Sequence, residues 1–260
     1  MKNSQPFSSV LSVEALSKRF GGLQALLKVS FEIREKEILG LLGPNGAGKT
    51  TCFNIISGVQ KPTEGKIFFQ GEDISGLPPH QMASRGIGRT YQIVRPFGSL
   101  TVLENVLVAL GMEKYGKGIP FFSFWDTKAN RDKARQYLKL VGLEAQEKAK
   151  ALSLPLGNLR RLELARALAL EPSLLLLDET FSGLRHEEIS LLEKTILGIR
   201  ARGITILLIE HNMRVAMSLS DRIVVLDHGE KIAEGLPEEI AKNDRVIDAY
   251  LGRVKEDGLA

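Results

Sequence analysis

Residues 43–50 read GPNGAGKT and match the pattern G-x-x-x-x-G-K-[ST] at every fixed position. Glycines in such a stretch let the backbone turn tightly, so that successive N–H groups surround phosphate oxygens. Lys49 brings an ammonium to the β- and γ-phosphates of a nucleotide, and Thr50 offers a hydroxyl to Mg²⁺. The apolar run EILGLL precedes the stretch and the helical segment CFNIISGV follows it, which is the context that a phosphate loop requires. The predicted nucleotide-binding residues here are Gly43, Pro44, Asn45, Gly46, Ala47, Gly48, Lys49, Thr50 and Thr51.

Two other apolar runs lead to side chains that suit phosphate chemistry. SLLLLDET contains Asp178 and Glu179, and ITILLIEH ends in His211. Continuous apolar runs are typical of parallel strands covered on both faces, and ligands bind at the carboxyl ends of such strands. We therefore expect Asp178 to hold Mg²⁺, and Glu179 to orient and deprotonate the attacking water. We expect His211 to donate a hydrogen bond to the γ-phosphate.

Each of these residues has a simpler explanation when it is taken alone. An Asp-Glu pair after a strand is usually solvated charge, and a lone histidine is more often a surface or capping residue. Gln92 follows the strand candidate GIGRTY and could reach Mg²⁺ and the attacking water in the same way, but taken singly it is uninterpretable. The complete phosphate loop favours the functional interpretation.

The order of patterns predicts an α/β core with a helical lobe inserted in its middle. SVEALSKRF, the turn GG and QALLKVSFEI indicate an antiparallel hairpin, and RIVVLDHGEKIAEG indicates another. Between Arg95 and about Leu170 the pattern is mostly helical, with a capping box at Thr101 and Glu104. Residues 111–128 read as a surface insertion whose aromatic side chains pack against the helices, or alternatively form a membrane-facing patch. These aromatic residues are Phe121, Phe122, Phe124 and Trp125.

Composition fits one globular domain or two lobes. Of the 260 residues, 43% are hydrophobic and 25% are charged, which allows a sizeable core. The net charge of +4 is spread along the chain and argues for neither nucleic acid nor an anionic membrane surface. Cys52, the one cysteine, fits a reducing compartment, and we expect it to be buried in a helix. We expect a protein that is neither secreted nor membrane-spanning, because the sequence contains no apolar leader and no long apolar run.

The complete order of motifs is distinctive. It runs from the phosphate loop through Gln92, the helical region, LPLGNLRRLELARAL and LLLLDE to FSGL and LLIEH. Over residues 11–252 this order resembles the nucleotide-binding subunit of ABC transporters. Four stretches are similar to the ATP-binding subunits of branched-chain amino acid importers. They are RRLELARAL, ILLIEHNM, SDRIVVLDHGEKIAEG and the ending VIDAYLG.

The resemblance implies the ABC ATPase fold, which is a P-loop NTPase core with an N-terminal antiparallel β lobe and an inserted helical subdomain. It also implies ATP and Mg²⁺ as ligands, transport-coupled ATP hydrolysis, and a cytoplasmic position on the inner face of the cell membrane. The implied boundaries are 9–255 for the ATP-binding domain, 9–92 and 171–255 for its α/β core, 93–170 for the helical subdomain, and 1–8 and 256–260 for the tails.

The resemblance further implies a second ATP-binding subunit, in a homo- or heterodimer that holds two ATP molecules head to tail. Phe20, in SKRFGG, matches the aromatic residue that stacks on adenine. The resemblance also implies that two transmembrane permease subunits dock on a coupling surface near Gln92 to Leu103, that a solute-binding protein acts indirectly, and that no nucleic acid takes part. Packing within the helical lobe explains the apolar side chains of that surface equally well. These side chains are Val94, Pro96, Phe97 and Leu100.

One stretch departs from the family pattern. Residues 154–158, LPLGN, occupy the position of the L-S-G-G-Q signature; Leu154 and Gly157 are kept, whereas Asn158 replaces the glutamine. Pro155 supplies neither a hydroxyl nor an N–H. The helix start behind Gly157 remains, with its unpaired N–H groups and positive dipole end. We therefore expect this signature turn (154–158) to hold the partner's ATP less firmly.

Two further residues depart from the family. Thr180 replaces the usual proline after the catalytic glutamate, and Arg185 replaces the usual Asp or Asn after SGL. Because the catalytic residues are retained, we expect an active but slower ATPase of an importer. The alternatives are a weakly hydrolysing partner subunit in a heteromeric transporter and the ATPase of an exporter. A soluble ATPase acting on nucleic acid or ribosomes is disfavoured, because the domain is single and no basic linker is present.

Overall fold

The computed structural model describes residues 9–90, 95–115 and 126–256, with side chains except those of 112–115 and 252–256. Gln92 and most of the insertion at 111–128, including its aromatic residues, lie outside the described residues. The chain divides into two compact units, one formed by Met1–Met82 with Gly203–Ala260 and the other by Ala83–Arg202. The second unit contains the whole of the predicted helical subdomain, whose boundaries stay a prediction.

The described elements alternate between strands and helices along most of the chain. The strands are β1 (Ser9–Phe20), β2 (Leu23–Arg34), β3 (Ile38–Leu42), β4 (Glu64–Phe69), β5 (Glu72–Asp73), β6 (Ile87–Arg89), β7 (Leu174–Asp178), β8 (Thr205–Ile209), β9 (Arg222–Asp227) and β10 (Glu230–Gly235). The helices are α1 (Lys49–Ile56), α2 (Pro79–Ser84), α3 (Val102–Tyr115), α4 (Lys128–Leu140), α5 (Leu156–Leu168), α6 (His186–Ala201), α7 (Met213–Leu219), α8 (Pro237–Ile240) and α9 (Asp244–Glu256). None of the helices in the described part of the chain is long and apolar enough to cross a membrane.

In the first unit, β1 and β2 form the predicted antiparallel hairpin, and β4 and β5 extend the same sheet in the order β2-β1-β4-β5. A second sheet places β3 between β8 and β9, parallel to both, and β10 pairs antiparallel with β9. Every residue of β3 and β8 is buried, as the continuous apolar runs predicted. Leu41 pairs with Ile209, so residues that follow β3 and β8 emerge at the same edge of the sheet.

The C-terminal helix packs on that second sheet. A buried apolar cluster brings Val246 of α9 together with Leu42 and Val225 of the strands, and Tyr250 of α9 packs against the cluster. Burial of these side chains removes apolar surface from water. The last helix is therefore fixed beside the end of β3, where the phosphate loop begins.

In the second unit, β6 pairs parallel with β7. The helices α3, α4 and α5 pack against one another, and α4 also contacts α6. At the start of α3 the Thr101 amide donates to Glu104 Oε2 at 2.6 Å, and the Glu104 amide donates to Thr101 Oγ1 at 3.2 Å. The predicted capping box is therefore confirmed.

Cys52 lies in α1 and is fully buried. Burial raises the pKa of its thiol to about 12. Because the thiolate is the reactive form of cysteine, this side chain acts as a small apolar group, as the sequence predicted.

Candidate nucleotide-binding site

The phosphate loop joins β3 to α1 and depends on its glycines. Gly43 has a φ of +146°, and a Cβ there would lie 2.1 Å from the Leu226 carbonyl oxygen. Gly48, with a φ of +101°, ends the loop, and a Cβ there would lie 2.7 Å from the Ala25 carbonyl oxygen. Both positions therefore require glycine, because the backbone of neighbouring strands and turns approaches too closely for any side chain.

Lys49 is drawn into the loop. Its ammonium donates to the carbonyl oxygens of Gly43 at 2.6 Å and Pro44 at 2.9 Å, and the residue is only 4% exposed. Thr50, the next residue of α1, is exposed. The loop thus concentrates one positive charge beside the first turn of a helix, where backbone N–H groups attract anions.

The first unit also contains His211 and Phe20. His211 is exposed, two residues beyond β8, and it emerges at the same sheet edge as the phosphate loop. Phe20 ends β1 with 44% of its surface exposed, and the Lys18 ammonium lies 5.0 Å from the centre of its ring. An exposed aromatic face of this kind can stack on a planar base.

In the second unit, Asp178 ends β7 and is paired with Arg89 of β6. Arg89 Nη2 lies 2.9 Å from Asp178 Oδ2, and the two side chains are 10% and 7% exposed. A buried carboxylate needs such a partner, because an uncompensated charge in the interior is strongly destabilising. Thr90 adds a hydrogen bond, since its hydroxyl oxygen accepts from the Asp178 amide at 3.3 Å. Asp178 is therefore held in a defined place at the end of its strand.

Glu179 follows in the left-handed region, with a φ of +46°. This conformation is uncommon for a residue other than glycine, and residues held in it cluster at functional sites. The next residue, Thr180, is buried, and its hydroxyl lies 3.5 Å from that of Thr90. Thr180, where the family usually has proline, thus contacts the residue that directly follows β6.

The described residues contain no group of three or more His, Cys, Asp or Glu side chains that could hold a metal ion. Mg²⁺ that binds with a nucleotide needs few protein ligands, because phosphate oxygens and water complete its shell. The predicted donors, the hydroxyl of Thr50 and the carboxylate of Asp178, are of the type that this ion requires.

The signature turn leads into α5, which starts at Leu156 with Pro155 as its N-cap and no side-chain cap. Leu154 and Gly157 are buried. A Cβ on Gly157 would lie 2.4 Å from Glu188 Oε1, so a carboxylate of α6 packs directly against this turn. The Asn158 side-chain oxygen accepts a hydrogen bond from the Arg161 guanidinium.

Of the predicted coupling surface, the structure describes residues 95–103, whereas Gln92 and Val94 lie outside the described residues. Phe97 is 46% exposed, and the Arg166 guanidinium lies 5.1 Å from the centre of its ring. Leu100 is half-buried and Leu103 is buried. Within the described residues 95–103, Phe97 is therefore the large apolar side chain that is exposed.

Three side chains that contact the predicted site residues were missed from sequence: Arg89, Glu188 and Tyr250. Tyr250 accepts a hydrogen bond from the Gly43 amide across 207 positions of sequence. No local pattern links such distant residues. For Arg89 a signal existed, because a charged residue in a short strand before Gln92 needs a buried partner or an exposed face.

Comparisons with protein families agree with the motif order. A family model described as ABC transporter matches residues 26–182, which include the phosphate loop, the signature turn and β7. A second model, described as branched-chain amino acid ATP-binding cassette transporter, matches residues 230–256, which include α9.

Individual relatives match over nearly their whole length. The high-affinity branched-chain amino acid transport ATP-binding protein LivG of Salmonella typhimurium is 44% identical over 257 residues, which cover 96% of this chain and 99% of that protein. The corresponding protein BraF of Pseudomonas aeruginosa is 42% identical, with coverage of 94% and 98%.

Solved structures share the fold. The ADP conformation of MJ1267, an ATP-binding cassette of an ABC transporter, matches with a TM-score of 0.84 and 30% identity, over 94% of this chain and 99% of that one. The dimeric post-hydrolysis structure of the cassette MJ0796, bound to ADP and Pi, matches with a TM-score of 0.75 and 27% identity, over 87% and 98%. The predicted ABC ATPase fold is confirmed, and the chain belongs to the ABC transporter family as one of its ATP-binding proteins.

Proposed function

We propose that this protein binds and hydrolyses ATP as the motor subunit of an ABC importer for branched-chain amino acids or related small solutes. The observation that carries the proposal is the 44% identity to LivG over 96% of this chain, since a match of that extent reaches far beyond a shared phosphate loop. The family model matched by residues 230–256 supports the same class of solute.

In this proposal the loop at 43–50 binds the phosphates of ATP. Lys49 exchanges its two carbonyl partners for phosphate oxygens, which are stronger acceptors because they are charged. The exposed Thr50 and the adjacent Thr51 lie in the first turn of α1, where the helix dipole favours an anion. Phe20 stacks on the adenine.

Hydrolysis is assigned to side chains that follow the buried strands. Glu179 accepts the proton of the attacking water, and His211 donates a hydrogen bond to the γ-phosphate. The proposed ligands of Mg²⁺ are Thr50, Gln92 and Asp178. When it is bound, the ion would neutralise charge on the phosphates. Arg89 orients the Asp178 carboxylate through their 2.9 Å contact.

We further propose that the protein works as a homo- or heterodimer on the inner face of the membrane. In this dimer the signature turn of one subunit contacts the nucleotide of the other through Leu154, Gly157 and Asn158. The dimeric structure of MJ0796 supports such pairing of subunits. Two permease subunits dock near Gln92 to Leu103, where Phe97 is exposed, and a solute-binding protein acts through them. Nucleic acid has no part in this function.

The hydrolytic role predicts a large effect at Glu179. In Glu179→Gln the amide cannot accept the proton, so the rate of phosphate release from ATP should fall on the order of 100-fold, whereas ATP binding persists. Glu238→Gln removes the same charge from an exposed position in α8 and should hydrolyse ATP like the wild type. Equal rates for the wild type and Glu179→Gln would contradict the proposed catalytic residue.

The transport role is tested in proteoliposomes. The protein is reconstituted with the permease subunits and the solute-binding protein of a branched-chain amino acid importer from the same organism, and uptake of labelled leucine, isoleucine and valine is measured. We expect uptake that requires ATP and is lost with Glu179→Gln. ATP-dependent movement of a different solute class, with no uptake of these amino acids, would overturn the substrate assignment but not the ATPase.

A further inference from the structure

The C-terminal helix reaches the phosphate loop through one hydrogen bond. The amide of Gly43, the first residue of the loop, donates to the hydroxyl oxygen of Tyr250 in α9 at 2.9 Å. Both residues belong to the same compact unit. Burial raises the pKa of the Tyr250 phenol, so the hydroxyl is neutral and also retains a proton to donate.

Gly43 is the point at which β3 becomes the loop. Its φ of +146° belongs to glycine alone, and the Leu226 carbonyl lies against the place of its missing side chain. A glycine rotates about its backbone bonds with little steric resistance, so contacts outside the residue must fix it. Because Gly43 is buried, its N–H group also needs a partner inside the protein.

The two peptide groups that meet at Gly43 are fixed from different directions. The peptide group on its N-terminal side donates to Tyr250, and the carbonyl on its C-terminal side accepts from the Lys49 ammonium at 2.6 Å. The position of Lys49 therefore depends on a carbonyl whose orientation is set at Gly43. A change at Tyr250 reaches Lys49 through a single residue.

We propose that Tyr250 is a positioning residue for the phosphate loop, and that its hydroxyl sets the geometry in which Gly43 and Lys49 receive the phosphates of ATP. The inference rests on the proposed function and deepens it. It also gives the segment at 230–256 a role at the nucleotide, since Tyr250 lies in the part of the chain that matches the second family model. Tyr250 does not touch the substrate in this assignment; it acts through Gly43.

The apolar packing of α9 offers a contrast within the same helix. Val246 is 3% exposed and belongs to the buried cluster under α9, but it makes no contact with the loop through a polar group. A variant at Val246 loosens the helix without removing the hydroxyl. Variants at Tyr250 and at Val246 therefore distinguish a specific effect on the phosphate loop from a general loosening of α9.

The test compares Tyr250→Phe with Val246→Ala and with Tyr137→Phe. Tyr250→Phe keeps the ring and removes the oxygen, so the protein should fold. Tyr137→Phe removes a hydroxyl that bonds to Glu171 at 3.2 Å in the other unit. The measurements are the Kd of a fluorescent ATP analogue with Mg²⁺, the kcat and KM of ATP hydrolysis, and the hydrogen exchange of the Gly43 amide.

For Tyr250→Phe we expect the Kd and KM for nucleotide to rise about fivefold, as the loss of one hydrogen bond implies, with kcat nearly unchanged. The Gly43 amide should exchange at least about tenfold faster, because it loses its buried acceptor. Val246→Ala should lower the unfolding midpoint more than Tyr250→Phe does while shifting the Kd less. Tyr137→Phe should leave nucleotide binding and Gly43 exchange unchanged.

An unchanged Kd in Tyr250→Phe would overturn the inference, and so would an equal or larger Kd shift in Val246→Ala. Lys49→Ala serves as the reference for the proposed function. If Lys49→Ala loses the analogue while Tyr250→Phe binds normally, the inference about Tyr250 fails and the phosphate loop stands. If Lys49→Ala also binds normally, the proposed function itself fails.

Discussion

The phosphate loop and the signature turn are two helix starts with very different means of holding a phosphate. The loop runs into α1, has the left-handed Gly48 as the N-cap of that helix, and contains the buried Lys49 ammonium. The turn precedes α5, has Pro155 as its N-cap, and lacks a side-chain cap. The Glu188 carboxylate lies against Gly157, and the Arg161 guanidinium is bonded to the Asn158 side chain within the turn. One helix start therefore combines amides with a buried lysine, whereas the other combines amides with a carboxylate and with a guanidinium that is bonded to a side chain of the turn itself.

The difference teaches how the proposed work divides between the two regions. A helix start by itself stabilises a nearby anion by roughly 0.3–1 kcal/mol, whereas each hydrogen bond to a charged group adds about 1.5–3 kcal/mol. The loop can thus bind ATP in a single subunit. In the proposed dimer, the turn would be too weak to bind ATP alone and would contribute once a nucleotide is already held by the partner.

The largest expected effect is at Lys49. In Lys49→Ala the loop would lose its buried ammonium and keep its amides, and the affinity for Mg-ATP should fall on the order of 100-fold, from the loss of one or two charge-assisted bonds. Equilibrium titration with a fluorescent ATP analogue measures the change. Lys66→Ala, which removes a well-exposed ammonium in β4, should bind like the wild type. If the affinity of Lys49→Ala stays within about twofold of the wild type, the comparison fails. A twofold change corresponds to only ~0.4 kcal/mol, which is far less than one hydrogen bond to a charged group contributes.

A smaller effect is expected at Gly157. A methyl group there meets Glu188 at 2.4 Å and blocks approach to the first amides of α5. The rate of ATP hydrolysis should fall about tenfold, as for the loss of one hydrogen bond to a charged group, whereas ATP binding to the single subunit stays unchanged.

The matched control is Gly198→Ala in α6, where a Cβ has no neighbour within 4 Å. It should hydrolyse ATP normally and gain stability of roughly 0.5–1 kcal/mol. Adding Glu188→Ala to Gly157→Ala removes the internal clash but keeps the methyl group. If the double variant recovers full hydrolysis, the defect belongs to α6 packing and not to the partner's phosphate.

The smallest effect is expected at Pro155. Pro155→Ser adds a hydroxyl and an N–H group at the turn, and one net hydrogen bond of about 1 kcal/mol corresponds to roughly a fivefold faster steady-state hydrolysis. Serine is also a good N-cap, so the unfolding midpoint should rise. Wild-type hydrolysis at ordinary family rates, with no change in Pro155→Ser, would mean that the turn is not the weaker phosphate contact.

Much of the fold was predictable because its signals are local. The buried strands β3 and β8 are continuous apolar runs, and the capping box at Thr101 needs only a residue three positions away. The same holds for the phosphate loop, whose glycines and lysine lie within eight residues. Side-chain partners of the site were not predictable in this way. Arg89 pairs with Asp178 across 89 positions, and neither residue has a local pattern that names the other.

By itself, the sequence determined the phosphate loop, the strands that carry the acidic residues and the histidine, and the altered chemistry of the signature turn, because each follows from neighbouring residues and their backbone preferences. Only the tertiary structure decided that Tyr250 fixes Gly43, that Arg89 compensates Asp178, and that Glu188 lies against Gly157. The physical reason is that a hydrogen bond or an ion pair depends on a separation of a few ångströms between atoms. Packing of distant segments sets such separations, and residue spacing along the chain does not encode them.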